Sequence, residues 1–277
     1  KSMILTNVGN ASLIHTVVLN ETKALLQGKF TQKSHPLKSP AEVCMAEVHQ
    51  KVSCSLCHSS WVPQCLGCHN SYDAKDEMGY DLLERKKIEG EWNEYIGKYF
   101  HEAPVIGVRE NANEKEFIAA APGMIMTIDT ASFYSRNGVY AFHRLYAPLS
   151  PHTTQSKGRD CKSCHLNALS LGFGRGSLSF DPTEENPQWK FDPQFAPSSY
   201  DQLPEDAWTS LLEGPPNIGK STRTDFRSLS KSEQKSMLRV GACLTCHSEE
   251  SHLMKASLNQ NFNELYNNRP EFCKVPQ

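Results

Sequence analysis

A mostly irregular and α-helical chain, wound around groups attached to it and carrying a small β-rich insertion, is what this sequence leads one to expect. Two observations carry the expectation. One pentapeptide recurs four times in 277 residues: Cys54-Ser-Leu-Cys57-His58, Cys65-Leu-Gly-Cys68-His69, Cys161-Lys-Ser-Cys164-His165 and Cys243-Leu-Thr-Cys246-His247. The stretch between the second and third copies holds no copy, but a series of strand-like runs. Chance supplies on the order of 0.01 such pentapeptides in a chain of this composition, so the recurrence carries chemical meaning.

The spacing identifies that chemistry. Two thiols three positions apart reach the two vinyl groups on one edge of a haem and form thioethers. The histidine that follows at once sets an imidazole nitrogen under the iron. A covalently tethered porphyrin is itself a large apolar plate, so the polypeptide around it needs little core of its own. Zinc held by Cys54, Cys57, Cys65 and Cys68, or by Cys161, Cys164, Cys243 and Cys246, requires no histidine directly after each pair, yet all four pairs have one. A thioredoxin-like redox site needs one pair on a βαβ unit, not four. A disulfide framework suits shorter chains that cannot build a core. The reading is therefore four covalent haem c groups, attached through Cys54, Cys57, Cys65, Cys68, Cys161, Cys164, Cys243 and Cys246, with His58, His69, His165 and His247 as proximal iron ligands.

Composition excludes other classes. Lys+Arg is 29 against Asp+Glu 31, for a net charge of −2, which leaves no basic footprint for nucleic acid. Hydrophobic residues make up 38% and charged residues 22%, as in a folded soluble chain. The longest mostly apolar stretch, 117–128, is broken by Pro122 and Gly123 and is too short to span a bilayer, so no transmembrane segment is expected. No signal peptide is visible in the sequence as it stands.

Three sections follow. Residues 1–73 carry the first two motifs. Within them 13–19 reads as a strand in competition with a helix, 31–40 as a loop, and Pro63 bends the linker between the motifs so that two haems lie in near contact. Residues 74–150 form the β-rich insertion, with strands expected at 91–100, 105–108, 117–129 and 139–142. Residues 151–277 carry the third and fourth motifs. There 181–200 reads as a surface loop, and Ser230 with Glu233 has capping-box spacing that starts a helix into the fourth motif. Leu253, Met254, Leu258, Phe262 and Leu265 fit one helical face ending before Pro270. Cys44 and Cys273 are the remaining cysteines; a disulfide between them, two unpaired thiols and a pairing with another chain are all open.

On these motifs the chain resembles the multihaem c-type cytochromes with four haems, and the extracellular filament-forming tetrahaem cytochromes among them. The pentapeptides carry the resemblance; 121–129 and 144–154 are similar to segments of bacterial multihaem cytochromes. The resemblance implies a location outside the cytoplasm, periplasmic or extracellular. It also implies redox proteins or extracellular electron acceptors as partners, and assembly into a conductive homopolymer in which His15 or His35 reaches a neighbour's haem.

Four irons take up to four further axial ligands, and a surplus of histidines favours bis-histidine, low-spin iron. His49, His152, His15 and His143 are the candidates, ahead of His35, His101 and His252. His49 stands just before the first motif, His152 follows Pro151 in a restricted turn, His15 lies among apolar residues and His143 follows a strand-like run. Arg144, Arg159 and Lys162 either pair with haem propionates or are solvated. The expected function is electron transfer along a chain of low-spin haems, without catalysis. The alternative is a multihaem oxidoreductase with one open iron acting on a small nitrogen or sulfur oxyanion, its site lined by residues such as His101, Arg109 and Tyr140.

Overall fold

Strand, not helix, dominates the computed structural model of the chain. It describes residues 2–5, 15–18, 25–28, 34–36, 42–76, 79–112, 114–121, 124–129, 140–151, 153–183, 185, 187–212, 214, 220–221, 223–260 and 262–276. The expectation of a mostly irregular and α-helical chain is thereby corrected. Strands fall well outside 74–150, and most of the helices are short. The physical reason lies in what the motifs leave unspecified: twenty residues of pentapeptide say nothing about the pairing of the rest, which is rich in strand-forming runs.

Residues 2–5, 15–18, 25–28 and 34–36 form an antiparallel four-stranded meander. It makes a strand of His15–Val18, within the stretch 13–19 that read as strand or helix, and puts a strand where a loop was expected at 31–40. A three-stranded sheet pairs Val105–Asn111 with Glu114–Ala120 on one side and Phe226–Arg227 on the other. A five-stranded mixed sheet runs in the order Lys220–Ser221, Tyr140–Tyr146, Met124–Asp129, Cys68–Asp73, Glu91–Tyr95. Val62–Leu66 pairs with Lys98–Glu102. Pro63 is tolerated there because this ladder has only two strands, where a missing N–H need not orphan a neighbour. The segment 181–200, expected to be a loop, contains the strand Trp189–Pro193, which pairs with Gly176–Phe180.

Among the described residues the helices are α1 (Glu42–Met45), α2 (Cys54–His58), α3 (Cys161–His165), α4 (Ala168–Leu171), α5 (Lys231–Cys246), α6 (His252–Asn259) and α7 (Phe262–Asn267). A 3-10 turn at Glu47–His49 lies between α1 and α2. Helix α5 starts at Ser230 in a complete capping box with Glu233, as the spacing predicts. The apolar face expected through 253–265 is divided between α6 and α7, because the chain turns extended at Gln260.

One buried cluster joins the first motif, the third and the helix that leads into the fourth. It joins Leu56 of the first motif, Ile106, Val108 and Ala119 of the central hairpin, Ala168, Leu171 and Phe173 after the third motif, and Leu229 and Leu238 before the fourth. Cys164 packs against the same cluster. Burying one such leucine contributes about 1.5–3 kcal/mol, so the cluster fixes α2, α3 and α5 relative to one another. A second cluster lies on the other side of the hairpin, where Tyr146 stacks on Trp208 at 4.0 Å.

Candidate functional site

The first and third motifs are built alike. Each forms a single helical turn started by a side-chain cap: Ser53 accepts from the Leu56 N–H, and Asp160 from the Ser163 N–H. One helical turn brings residues three apart onto one side, which is what a thiol pair needs to reach one porphyrin edge. The histidine ends the turn, and in both motifs its ring is held from elsewhere. His58 Nδ1 donates to the Gln155 carbonyl at 3.1 Å, and His165 Nδ1 to the Met237 carbonyl at 3.1 Å. A carbonyl can only accept, so each ring carries its proton on Nδ1 and keeps a lone pair on Nε2, the atom a proximal ligand uses. Burial, with His49 alongside, lowers the His165 pKa to about 4, so this imidazole is neutral and able to ligate at pH 7.

Space beside the first motif is kept open by a glycine. A Cβ on Gly158 would lie 3.2 Å from Cys57 Sγ and 3.8 Å from His58 Nε2. The third motif lies under α5 at Gly241, where a Cβ would run into the His165 carbonyl oxygen. Arg159 ties the two motifs together. Its N–H donates to the Cys57 carbonyl at 2.9 Å, and its guanidinium to the carbonyls of Ser163 and Pro104 and to Ser170 Oγ.

The fourth motif occupies the end of α5, with Cys243 and Cys246 one turn apart and His247 as the extended residue that ends the helix. Glu249, two residues on, accepts from the Cys161 N–H at 3.1 Å and joins the fourth motif to the third. A cavity of about 480 Å³ lies nearby, lined by Arg269, Glu271, Cys273 and Lys274 among others. Burial and then its Cys273 raise the Cys243 pKa, and its two cations, offset in part by Glu271, suit carboxylates such as those of a porphyrin.

The second motif is different. Cys65 lies in the Val62–Leu66 strand and Cys68 and His69 lie in the next, after Gly67 turns the chain with a φ of +70°. Successive side chains of a strand point to opposite faces. Cys68 is buried and His69 exposed, so the two do not address one group together. The cavity at His69, about 120 Å³ and lined by Tyr95, Thr127 and Asp129 among others, is well below the ~300 Å³ lower bound for sites that enclose even a drug-sized ligand. Motifs one, three and four thus set both thiols on one helical turn with the histidine directly after the second, the arrangement a covalent haem needs. Motif two does not.

Burial also pushes thiols up, Cys161 and Cys243 to about 11, with Glu249 adding to Cys161. These are neutral thiols at pH 7, the reverse of the lowered pKa that marks a thiolate nucleophile. Among the described residues, no three or more Cys, His, Asp or Glu side chains converge as a metal cage would, the two four-thiolate groupings included.

The candidate distal histidines divide. His49 meets His165, ring centroid to ring centroid at 6.3 Å. His143, half-buried, lies opposite Met126, which pairs with Cys68; His143 therefore shares a sheet face with Cys68 and not with His69. His15 lies on the strand His15–Val18, and His152 lies outside the described residues. His101 is exposed and edge-on to Trp61, and His252 is exposed at the start of α6. Arg144 is neither solvated nor available to a propionate: it is fully buried in a two-pronged pair with Asp201 and donates to three carbonyls. Cys44 and Cys273 are not joined; Cys44 lies by Cys57, and Cys273 by Cys243.

Sequence reasoning did not find the carbonyls of Val43, Gln155 and Met237 that orient histidines, nor the roles of Gly158 and Gly241. Backbone groups leave no residue-type signal. Comparisons with protein-family models, with curated proteins and with solved structures return no match. No described helix is long and apolar enough to cross a membrane.

Proposed function

We propose that this chain is an electron carrier whose paired thiols hold haem c, with the motifs at 54–58, 161–165 and 243–247 receptive as folded. The motif at 65–69, whose two thiols lie on separate strands, stays outside this proposal. The observation that carries the reading is the shared design of the first and third motifs: two thiols on one helical turn, followed by an imidazole locked by a backbone carbonyl with Nε2 left as its ligand atom. Covalently bound haem supplies a one-electron couple that exchanges electrons without bond making.

The protein's own residues do three things toward that end. The caps at Ser53 and Asp160 hold each thiol pair in one orientation. The Gln155 and Met237 carbonyls fix tautomer and ring orientation, and so raise the basicity of the ligand nitrogen. The cluster around Leu56, Ala168 and Leu238 holds the three motif helices rigidly, which limits rearrangement when charge moves. The same reading carries a location in the periplasm or outside the cell and a redox protein or extracellular acceptor as partner.

Optical and EPR spectra of the purified chain test this. A Soret band, with low-spin iron that ignores added cyanide, is expected. No Soret band, or a high-spin iron that binds cyanide or nitrite, would overturn the carrier reading, the latter in favour of an enzyme.

A further inference from the structure

We propose that His49 is the axial partner of His165, so that the haem tethered at Cys161 and Cys164 is gripped on its two faces by separate sections of the chain. The inference rests on the haem reading above and adds to it which histidine serves which iron.

Three observations support the pairing. The two ring centroids are 6.3 Å apart, with ring planes inclined at 57°. Metal–imidazole bonds of roughly 2.0–2.1 Å on opposite sides of one iron hold ring centroids roughly 6.2–6.5 Å apart. His49 Nδ1 donates to the Val43 carbonyl at 3.1 Å, as His165 Nδ1 donates to that of Met237. Each ring is therefore left with a single lone pair on Nε2, and two acceptors cannot hydrogen-bond to one another. A shared cation resolves that arrangement; direct contact does not. Finally, His49 is placed by a stiff local structure. Its N–H donates to the Ala46 carbonyl, and its own carbonyl accepts from Val52, whose neighbour Ser53 caps the first motif.

The consequence is a cross-brace. His49 precedes the first motif in sequence yet serves the third, and Arg159 bridges the same two motifs. Haems one and three then become immediate neighbours, although a whole motif separates them in sequence.

The test uses the full chain matured with its haems. H49A should keep the covalent haem mass of the unaltered protein, convert one low-spin site to high spin, and recover low spin with added imidazole. H49M should keep low spin and move one site to higher potential. In a C161A/C164A background, which lacks the third haem, H49A should add no high-spin signal. Should that background fail to mature, H49A combined with H165M should perturb one site and not two. A fully low-spin H49A, a high-spin signal persisting without the third thiol pair, or two perturbed sites in the double variant would each overturn the pairing. Absence of haem from the unaltered protein would instead remove the reading beneath it.

Discussion

Gly241→Ala measures how closely α5 rides on the third motif. In an exposed helix interior this change stabilises by about 0.8–1.0 kcal/mol, because alanine is the better helix former. At this position the new methyl meets the His165 carbonyl oxygen, a backbone atom that cannot swing aside, with Trp189 3.2 Å away on another side. Overpacking of this kind costs about 1–3 kcal/mol. The propensity gain offsets part of it, leaving a net loss of about 1 kcal/mol, or roughly 2–4 °C in Tm for a chain of this size. The sign is the informative part. Met237 lies one helical turn before Gly241, so a helix lifted at 241 also draws the Met237 carbonyl away from His165 Nδ1. Thermal or denaturant unfolding gives the first quantity, and the EPR signal of the third site the second, with S236A as a control at an exposed position of the same helix. If G241A stabilised the protein by the full helix-propensity amount and left that signal unchanged, α5 would not approach the third motif this closely.

Other outcomes follow from the same geometry. Glu233 caps α5 and accepts from Arg227 and Lys115, and these partners outweigh burial and hold its carboxyl at about 2 against an ordinary 4.5. A lowered pKa contributes stability that is present above pH 4.5 and lost as pH falls toward 2; it is worth on the order of 1–2 kcal/mol after solvent screening. E233Q should lower stability at pH 7 by about that amount and flatten this part of the acid limb, as read by denaturation midpoints from pH 7 to 2. Asp201→Asn, which leaves Arg144 buried without its counter-charge, should cost about 3–5 kcal/mol by chemical denaturation, and R144M/D201L much less. Gly158→Leu fills the space beside Cys57 and His58 and should yield a chain lacking one covalent haem by intact mass, with the other sites spectrally unchanged.

The sequence made some of this legible. The motifs announced themselves because thiol, thiol and imidazole must stand at fixed spacing. The run expected as one strand at 91–100 is two, Glu91–Tyr95 and Lys98–Glu102, and the strands expected at 105–108 and 139–142 extend to Asn111 and Tyr146, while Ser230 and Glu233 marked the start of α5 to the residue. What stayed hidden is long-range. Phe226–Arg227 completes a sheet with residues more than a hundred positions earlier, and Cys68–Asp73 lies parallel to Met124–Asp129; neither pairing has a local signature. Residues 105–108 are buried in succession on both faces, so the alternation that marks a half-exposed strand is missing. The strand conformation of Cys68 and His69 was masked by the motif itself, whose chemistry suggests a helical turn. His49 stood out by its place before the first motif, but its approach to His165 depends on how α1, α2 and α3 pack.

Mass spectrometry of the denatured, protease-digested protein shows whether porphyrin is bonded to these cysteines. Porphyrin-bearing peptides spanning Cys54–Cys57, Cys161–Cys164 and Cys243–Cys246 are the expected result. Peptides carrying these cysteines as bare thiols, in protein made by a host able to attach haem, would contradict it.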